Sequence, residues 1–197
     1  MYIPKAFRIE NRDLIDAFVA DNPFAILIGG LKGNIHATHL PILRLRDGKY
    51  YGHMAKANPQ ADIPQTEPVL VIFAGPHAYI TPKWYRSDLN LPTWNYGAVH
   101  CRGHIVFIED PSKVWSLLQE MVELLEGRDG WRLSEGKGHQ GLVSAIRFFE
   151  FIPTDVEAQF KLSQNKKPAD ISGVIEGLRA GGYTDVSEFM TRINSKE

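Results

Sequence analysis

VLVIFAGPHAYITPKWYRSDLNLPTWNYGAVHCRG, residues 69–103, is the stretch on which the fold turns. Its first five residues are apolar, β-branched or aromatic, and Gly75 and Pro76 follow, which predicts a buried strand ending in a turn. Residues 94–104 predict a second strand, extended by 105–108. Between them stand Pro76, Pro82 and Pro92 with His77, Tyr79, Trp84 and Tyr85, a stiff aromatic loop that is costly to order unless something packs on it. Trp84, Trp94, Tyr79 and Tyr96 taken alone read equally well as core aromatics. In the company of Asn95, Lys83 and His77 they become flat faces edged by hydrogen-bonding groups, a wall suited to a planar heteroaromatic ring.

Toward the N-terminus, Asn11 caps an expected helix with Leu14, Ile15, Phe18 and Val19 at helical spacing, ended by Asp21, Asn22 and Pro23. Strands are expected at 24–28 and, broken by Pro41, at 35–45, with turn signals at 29–34. Asp47 and Gly48 turn the chain into a strand over 49–54. Residues 55–63 predict a helix start with Asn58 as cap and Pro59 in the first turn. Such a helix presents free N–H groups and a positive dipole end beside Lys56, an anion site.

Toward the C-terminus, Pro111 opens a helix whose stripe is Val114, Leu117, Leu118, Met121, Val122 and Leu125. Residues 127–141 read as loop with a short helix around Trp131, and 145–152 as a strand. Residues 158–167 are polar and loop-like after Phe160, and helices are expected at 169–180 and 186–193. Strands cluster without strict alternation with helices, so the expected class is mainly β with peripheral helices (α+β), a barrel rather than a doubly wound sheet. No repeat or linker divides the 197 residues, which are expected to form a single domain, 1–197, with C-terminal helices from about 168 onward.

The formal charge is -1, with 22 Lys and Arg against 23 Asp and Glu and no basic run, so the electrostatic footprint of a nucleic-acid binder is missing. Cys101 is the only cysteine, which excludes an internal disulfide and suits a reducing compartment. With neither a signal-peptide pattern nor an apolar span of membrane length, a soluble cytoplasmic protein is expected, away from membranes.

Among the seven histidines, His36 and His39 point to opposite faces of a strand while His100 and His104 share one, so no three ligands converge and no metal site is expected. Cys101 beside His100 faces the other way and reads as a buried, inert thiol. No phosphate-binding glycine loop or nucleophile elbow is present, and Gly29, Gly30 and Gly33 read as a hairpin turn. Catalytic residues are therefore unknown. The aromatic wall and the Lys56 corner together imply a ligand with a flat ring at one end and a phosphate at the other. FMN, a simple nucleotide and pyridoxal phosphate all fit, although no lysine stands out for an imine.

Six motifs then occur in one order: MYIPKAF at the start, ATHLP at 37–41, GHMAKANPQ at 52–60, GPHAYITPKWY at 75–85, PTWNYGAVH at 92–100 and KLSQNK at 161–166. Together they resemble the PaiB-like family, described as FMN-binding negative transcriptional regulators. The C-terminal helices carry no recognised motif. The resemblance implies an FMN-binding split β-barrel, related to the pyridoxamine phosphate oxidase and flavin reductase barrels, usually a homodimer with flavin at the subunit interface. It implies that Thr38 and His39 contact the cofactor and that the corner of His53, Met54, Lys56, Asn58 and Gln60 holds its phosphate. Trp94 and Asn95 would come from the central loop, across the dimer in one arrangement. Lys161, Ser163, Gln164 and Asn165 match a family motif and stand as additional candidates. The family usually carries Trp where this chain has Ala61, so weaker binding is expected if that Trp shields the cofactor. The family label implies repression and DNA, which the charge does not support. The alternative is a flavin-dependent oxidoreductase, NAD(P)H:flavin or pyridoxamine-phosphate-oxidase-like.

Overall fold

Asn11 opens the first helix as its spacing requires: its Oδ1 accepts from the Leu14 amide at 3.1 Å, and α1 runs Arg12–Asp21 with Ile15, Phe18 and Val19 buried. The computed structural model describes residues 1–31, 33–134 and 137–195. Lys32 in the expected hairpin turn, Glu135 and Gly136 in the expected loop, and Lys196 and Glu197 lie outside the described residues. Around α1 the elements are β1 (Arg8–Ile9), β2 (Phe24–Leu31), β3 (Asn34–Arg44), β4 (Tyr50–Ala55), β5 (Val69–Ile80) and β6 (Thr93–Ile108). Then follow α2 (Pro111–Glu126), α3 (Lys137–Ser144), β7 (Ile146–Lys161), α4 (Pro168–Ala180) and α5 (Thr184–Asn194). The strands form one mainly antiparallel sheet ordered β1-β7-β4-β3-β2-β5-β6, and β7 also pairs with β6. The sheet thus closes on itself, the barrel class expected from strands that do not alternate with helices.

Two strands outrun their expected lengths by passing through proline, and a third expected to be broken by one is continuous. β5 continues through Gly75 and Pro76 to Ile80 instead of turning; its ladder with β2 ends at the pair Ile26 and Ile72, before the proline. β3 is unbroken at Pro41, which faces Phe24 in the last pair with β2, one residue before pairing with β4 begins at Ile42. In β7, Pro153 falls between the ladder with β4, which ends at Phe151, and that with β1, at Ala158 and Gln159. Each proline lies at or beyond the end of one of its strand's ladders, where a missing N–H costs least, and the strand continues through it. Gly33, with φ 80°, reverses the chain between the paired residues Leu31 and Asn34.

Two helix expectations are corrected. The helix expected over 55–63 is a single 3₁₀ turn, Pro59–Asp62. Trp131 lies outside any helix and α3 begins at Lys137; Gly138 and Gly141 mask that helix in the sequence.

The chain folds as two compact units. The terminal unit comprises Met1–Val19, Ala74–His100 and Glu157–Glu197. Its core is a ring cluster of Phe18, Phe160 and Phe189, with centroids 4.8 to 5.6 Å apart. The central unit comprises Ala20–Phe73 and Cys101–Val156. There Leu43, Leu45, Tyr51 and Phe148 pack against Val114, Leu117 and Met121 of α2. The Asp110 carboxylate caps α2 through the Ser112 amide at 2.9 Å, and Leu125, expected on the apolar stripe, is exposed near its end.

Candidate functional site

Three of the expected site residues in the central unit meet in one hydrogen-bonded corner. Asn58 Nδ2 donates to Thr38 Oγ1 at 2.8 Å, and Asn58 Oδ1 accepts from the Gln60 amide at 2.9 Å. Gln60 is fully buried, and its Nε2 donates to the carbonyls of Leu27 on β2 and His36 on β3 at 3.3 and 3.2 Å. Both hydrogens of that amide are thus used, while Gln60 Oε1 is buried with no partner. A buried oxygen without a donor is costly, and such atoms mark places where a ligand group or water is owed. The Thr38 hydroxyl accepts from Asn58 and keeps its own hydrogen to donate.

The helix expected to start this corner is one 3₁₀ turn, which lacks the dipole of a longer helix, and its first N–H is already capped by Asn58. Lys56 itself is exposed and lines a cleft of about 650 Å3 with Arg147 and Phe148 of β7 and Pro111, Ser112 and Trp115 of α2. Arg147 is the cation that sequence analysis missed. It lies 3.8 Å over the Phe107 ring, donates to the Ala61 carbonyl and pairs with Glu109 at 3.1 Å. Its signal was a basic residue inside the largely apolar run AIRFFEFI. The Trp115 indole N–H is buried without a partner.

His53 stacks on Phe148 with centroids 5.8 Å apart and 17° between planes. Burial pushes its pKa down, so the ring is neutral at pH 7, and its Nδ1 has no partner. Met54 is buried in the sheet. His39 is exposed on β3, its ring 6.2 Å from that of exposed Phe24. Among the described residues no group of three His, Cys, Asp or Glu side chains is placed to hold a metal ion.

The remaining candidates lie in the terminal unit, where the aromatic wall divides. Trp94, 53% exposed, gathers His77 at 5.8 Å and Tyr79 at 6.3 Å into an open ring cluster. Trp84 instead packs on Gly177 of α4, so closely that any Cβ there would fall 2.3 Å from the indole; it is a packing residue. Asn95 is fully buried, its amide donating to Ser163 Oγ at 3.0 Å and Met190 Sδ at 3.2 Å. With both hydrogens spent, Asn95 supports the fold instead of offering donors to a ligand.

The KLSQNK segment forms a clamped turn after β7. Gln164 Oε1 accepts from the Leu162 amide at 2.7 Å, its Nε2 donates to the Phe160 carbonyl, and the Lys166 amide returns to the Ser163 carbonyl at 2.9 Å. Lys161 Nζ donates to Thr93 Oγ1 and to the Trp94 carbonyl. Of these, Lys161, Ser163 and Thr93 line a cavity of about 370 Å3, together with Asn165, Lys166 and Tyr85.

A family model described as "Putative FMN-binding domain" matches residues 1–154. The chain belongs to that PaiB-like family. It is 38% identical over 186 residues to protease synthase and sporulation protein PAI 2 of Bacillus subtilis, covering 91% of this chain and 89% of that protein. Among solved structures, the flavocytochrome Anf3 of Azotobacter vinelandii superposes with a TM-score of 0.64 at 15% identity, covering 81% of this chain and 72% of that one. An FAD- and heme-binding protein of Mycobacterium smegmatis does so with 0.60 at 14%, covering 78% and 73%. At those identities the structural likeness establishes the shared fold. For the PaiB-like chain itself, no helix among the described residues is long and apolar enough to cross a membrane.

Proposed function

We propose that this protein binds FMN at the central-unit corner, works as a homodimer, and serves a PaiB-type regulatory role through that cofactor. The observation carrying this is that motif residues inside the family match are tied into one corner, Thr38–Asn58–Gln60, which leaves a hydroxyl hydrogen and a buried oxygen free. Lys56 supplies the cation for the phosphate and the Thr38 hydroxyl a further donor, while Gln60 Oε1 accepts. Neutral His53 presents one donor and one acceptor nitrogen without charge. When bound, the flavin supplies reversible electron transfer; the protein supplies position and electrostatics. The second copy is drawn to the outer part of β3, where Ile35 is 82% exposed and pairing with β4 covers only Ile42–Arg44. Its exposed His39 is the side chain left to close over the ring.

With a formal charge of -1, regulation through flavin or metabolite sensing is favoured over direct DNA contact. The same charge favours the second reading, an FMN-dependent oxidoreductase with a small-molecule substrate. The test is the absorbance spectrum and melting temperature of purified protein with FMN and with riboflavin. Saturation at a hundredfold excess over Kd stabilises by about 2.7 kcal/mol. FMN should bind more tightly than riboflavin, and Lys56→Ala should narrow that gap. A protein with no flavin band and no shift in melting would end the proposal. Anaerobic bleaching of the bound flavin by NADH or NADPH decides between regulator and oxidoreductase.

A further inference from the structure

We propose that the cavity of about 370 Å3 in the terminal unit is a second binding site, for a small organic anion with an apolar body, separate from the flavin corner. Its volume is at the lower end of the range of small-molecule sites. Two lysines, Lys161 and Lys166, line it, and no acidic residue does. Lys161 Nζ has two acceptors, Thr93 Oγ1 and the Trp94 carbonyl, leaving one N–H for a ligand. Lys166 Nζ donates to Asn90 Oδ1 at 2.7 Å and lies 5.1 Å from the Tyr85 ring centroid.

The nearby carboxylate, Asp170, is already engaged by the Arg86 and Ser87 amides at 2.8 and 2.9 Å and by Ser87 Oγ at 2.7 Å. Burial, and then the charge of Lys166, push the Lys161 pKa down, a tension that a bound anion relieves.

Tyr85 and Ser163 line the same space. The Tyr85 hydroxyl is buried on the cavity wall beside the Ser163 side chain, which is its near neighbour there. Ser163 holds a left-handed conformation, φ 66°, rare for a residue with a side chain and here fixed by the Gln164 clamp. The opposite wall is apolar: Phe7, Pro92 and two leucines of the 86–92 loop, Leu89 at 98% and Leu91 at 82% exposure. Exposed leucines are paid for in solubility unless something covers them, and an amphiphilic acid would seat its anion on the lysines and its body on this rim.

The experiment is an amide chemical-shift titration of the full chain, with and without saturating FMN, using benzoate, benzyl alcohol and inorganic phosphate as probes. Benzoate should shift the amides of Thr93, Ser163 and Lys166 while leaving Thr38 and Gln60 still, whether or not flavin is bound. Benzyl alcohol should not bind, and Lys166→Gln should weaken benzoate about tenfold, the loss of one charge-assisted hydrogen bond. No shift at millimolar benzoate would overturn the proposal, as would unchanged binding by Lys166→Gln. Phosphate binding as tightly as benzoate would overturn the apolar half of it. Competition between FMN and benzoate would overturn the separateness, by assigning the cavity to the flavin. The FMN absorbance, read in the same samples, reports on the flavin site independently.

Discussion

Gln60 in the central unit and Asn95 in the terminal unit are both fully buried amides inside family motifs, and they are satisfied differently. Asn95 spends both hydrogens and exchanges a hydroxyl bond with Ser163, whose Oγ returns to Asn95 Oδ1 at 3.3 Å. Gln60 spends both hydrogens on strand carbonyls and leaves its oxygen unpaired. Complete pairing identifies a strut; an orphaned oxygen marks a place where a ligand group or water is owed. Thus the central-unit corner is the better candidate for the cofactor, and Asn95 is better understood as holding the KLSQNK turn against β6.

That contrast can be broken by substitution. The largest expected effect is in the terminal core: Phe160→Ala removes the ring shared by Phe18 and Phe189 and should cost about 3–5 kcal/mol in denaturant unfolding. FMN affinity of the folded fraction should not change. Gln60→Leu should cost less, about 1–3 kcal/mol, by stranding the Leu27 and His36 carbonyls. Unlike Phe160→Ala, it should abolish the rise in melting temperature with FMN; if that rise survives, the orphaned oxygen is not a ligand contact.

The next effect is a pH dependence. The Ser87 hydroxyl bond, with the Ser87 and Arg86 amides, holds the Asp170 carboxyl below its ordinary range. A carboxylate whose folded-state pKa is depressed contributes stability above its unfolded value, and that contribution is lost as pH falls through the folded one. Acid should therefore loosen the terminal unit below about pH 4, and Asp170→Asn should flatten that part of the melting profile. Lys56→Ala should change stability by under about 0.5 kcal/mol yet weaken FMN about tenfold in a fluorescence titration. Smallest of all, Arg102→Ala removes an exposed ion pair with Asp155 at 2.8 Å and should shift stability by about 0.2–1 kcal/mol at most.

Local signals were read well because their cause is local. The cap at Asn11 and the helix opening at Pro111 each depend on a few neighbouring residues; the turn expected over 29–34 is shorter, because Gly29 and Gly30 are paired with His36 and Ile35 inside β2 and the chain reverses only between Leu31 and Asn34. Strand lengths were read short because a proline's effect depends on whether a ladder partner stands opposite, which Gly75, Pro76 and Pro153 alone do not disclose. Trp84 and Trp94 belong to one motif stretch, yet one is locked over Gly177 and the other is open. Composition cannot separate them, because the helix that covers Trp84 arrives some ninety residues later.

By itself the sequence determined the family, the mainly β class and the order of the motifs, since apolar periodicity and contiguous motifs are properties of neighbouring residues. Only the tertiary structure decided which motif residues are struts and which are available. It replaced a helix dipole with a single 3₁₀ turn, brought Arg147 of β7 to the cleft of Lys56, and set Lys161 and Lys166 around one cavity. The physical reason is that hydrogen-bond satisfaction belongs to pairs of atoms, and most of the pairs that matter here are twenty or more residues apart in the chain.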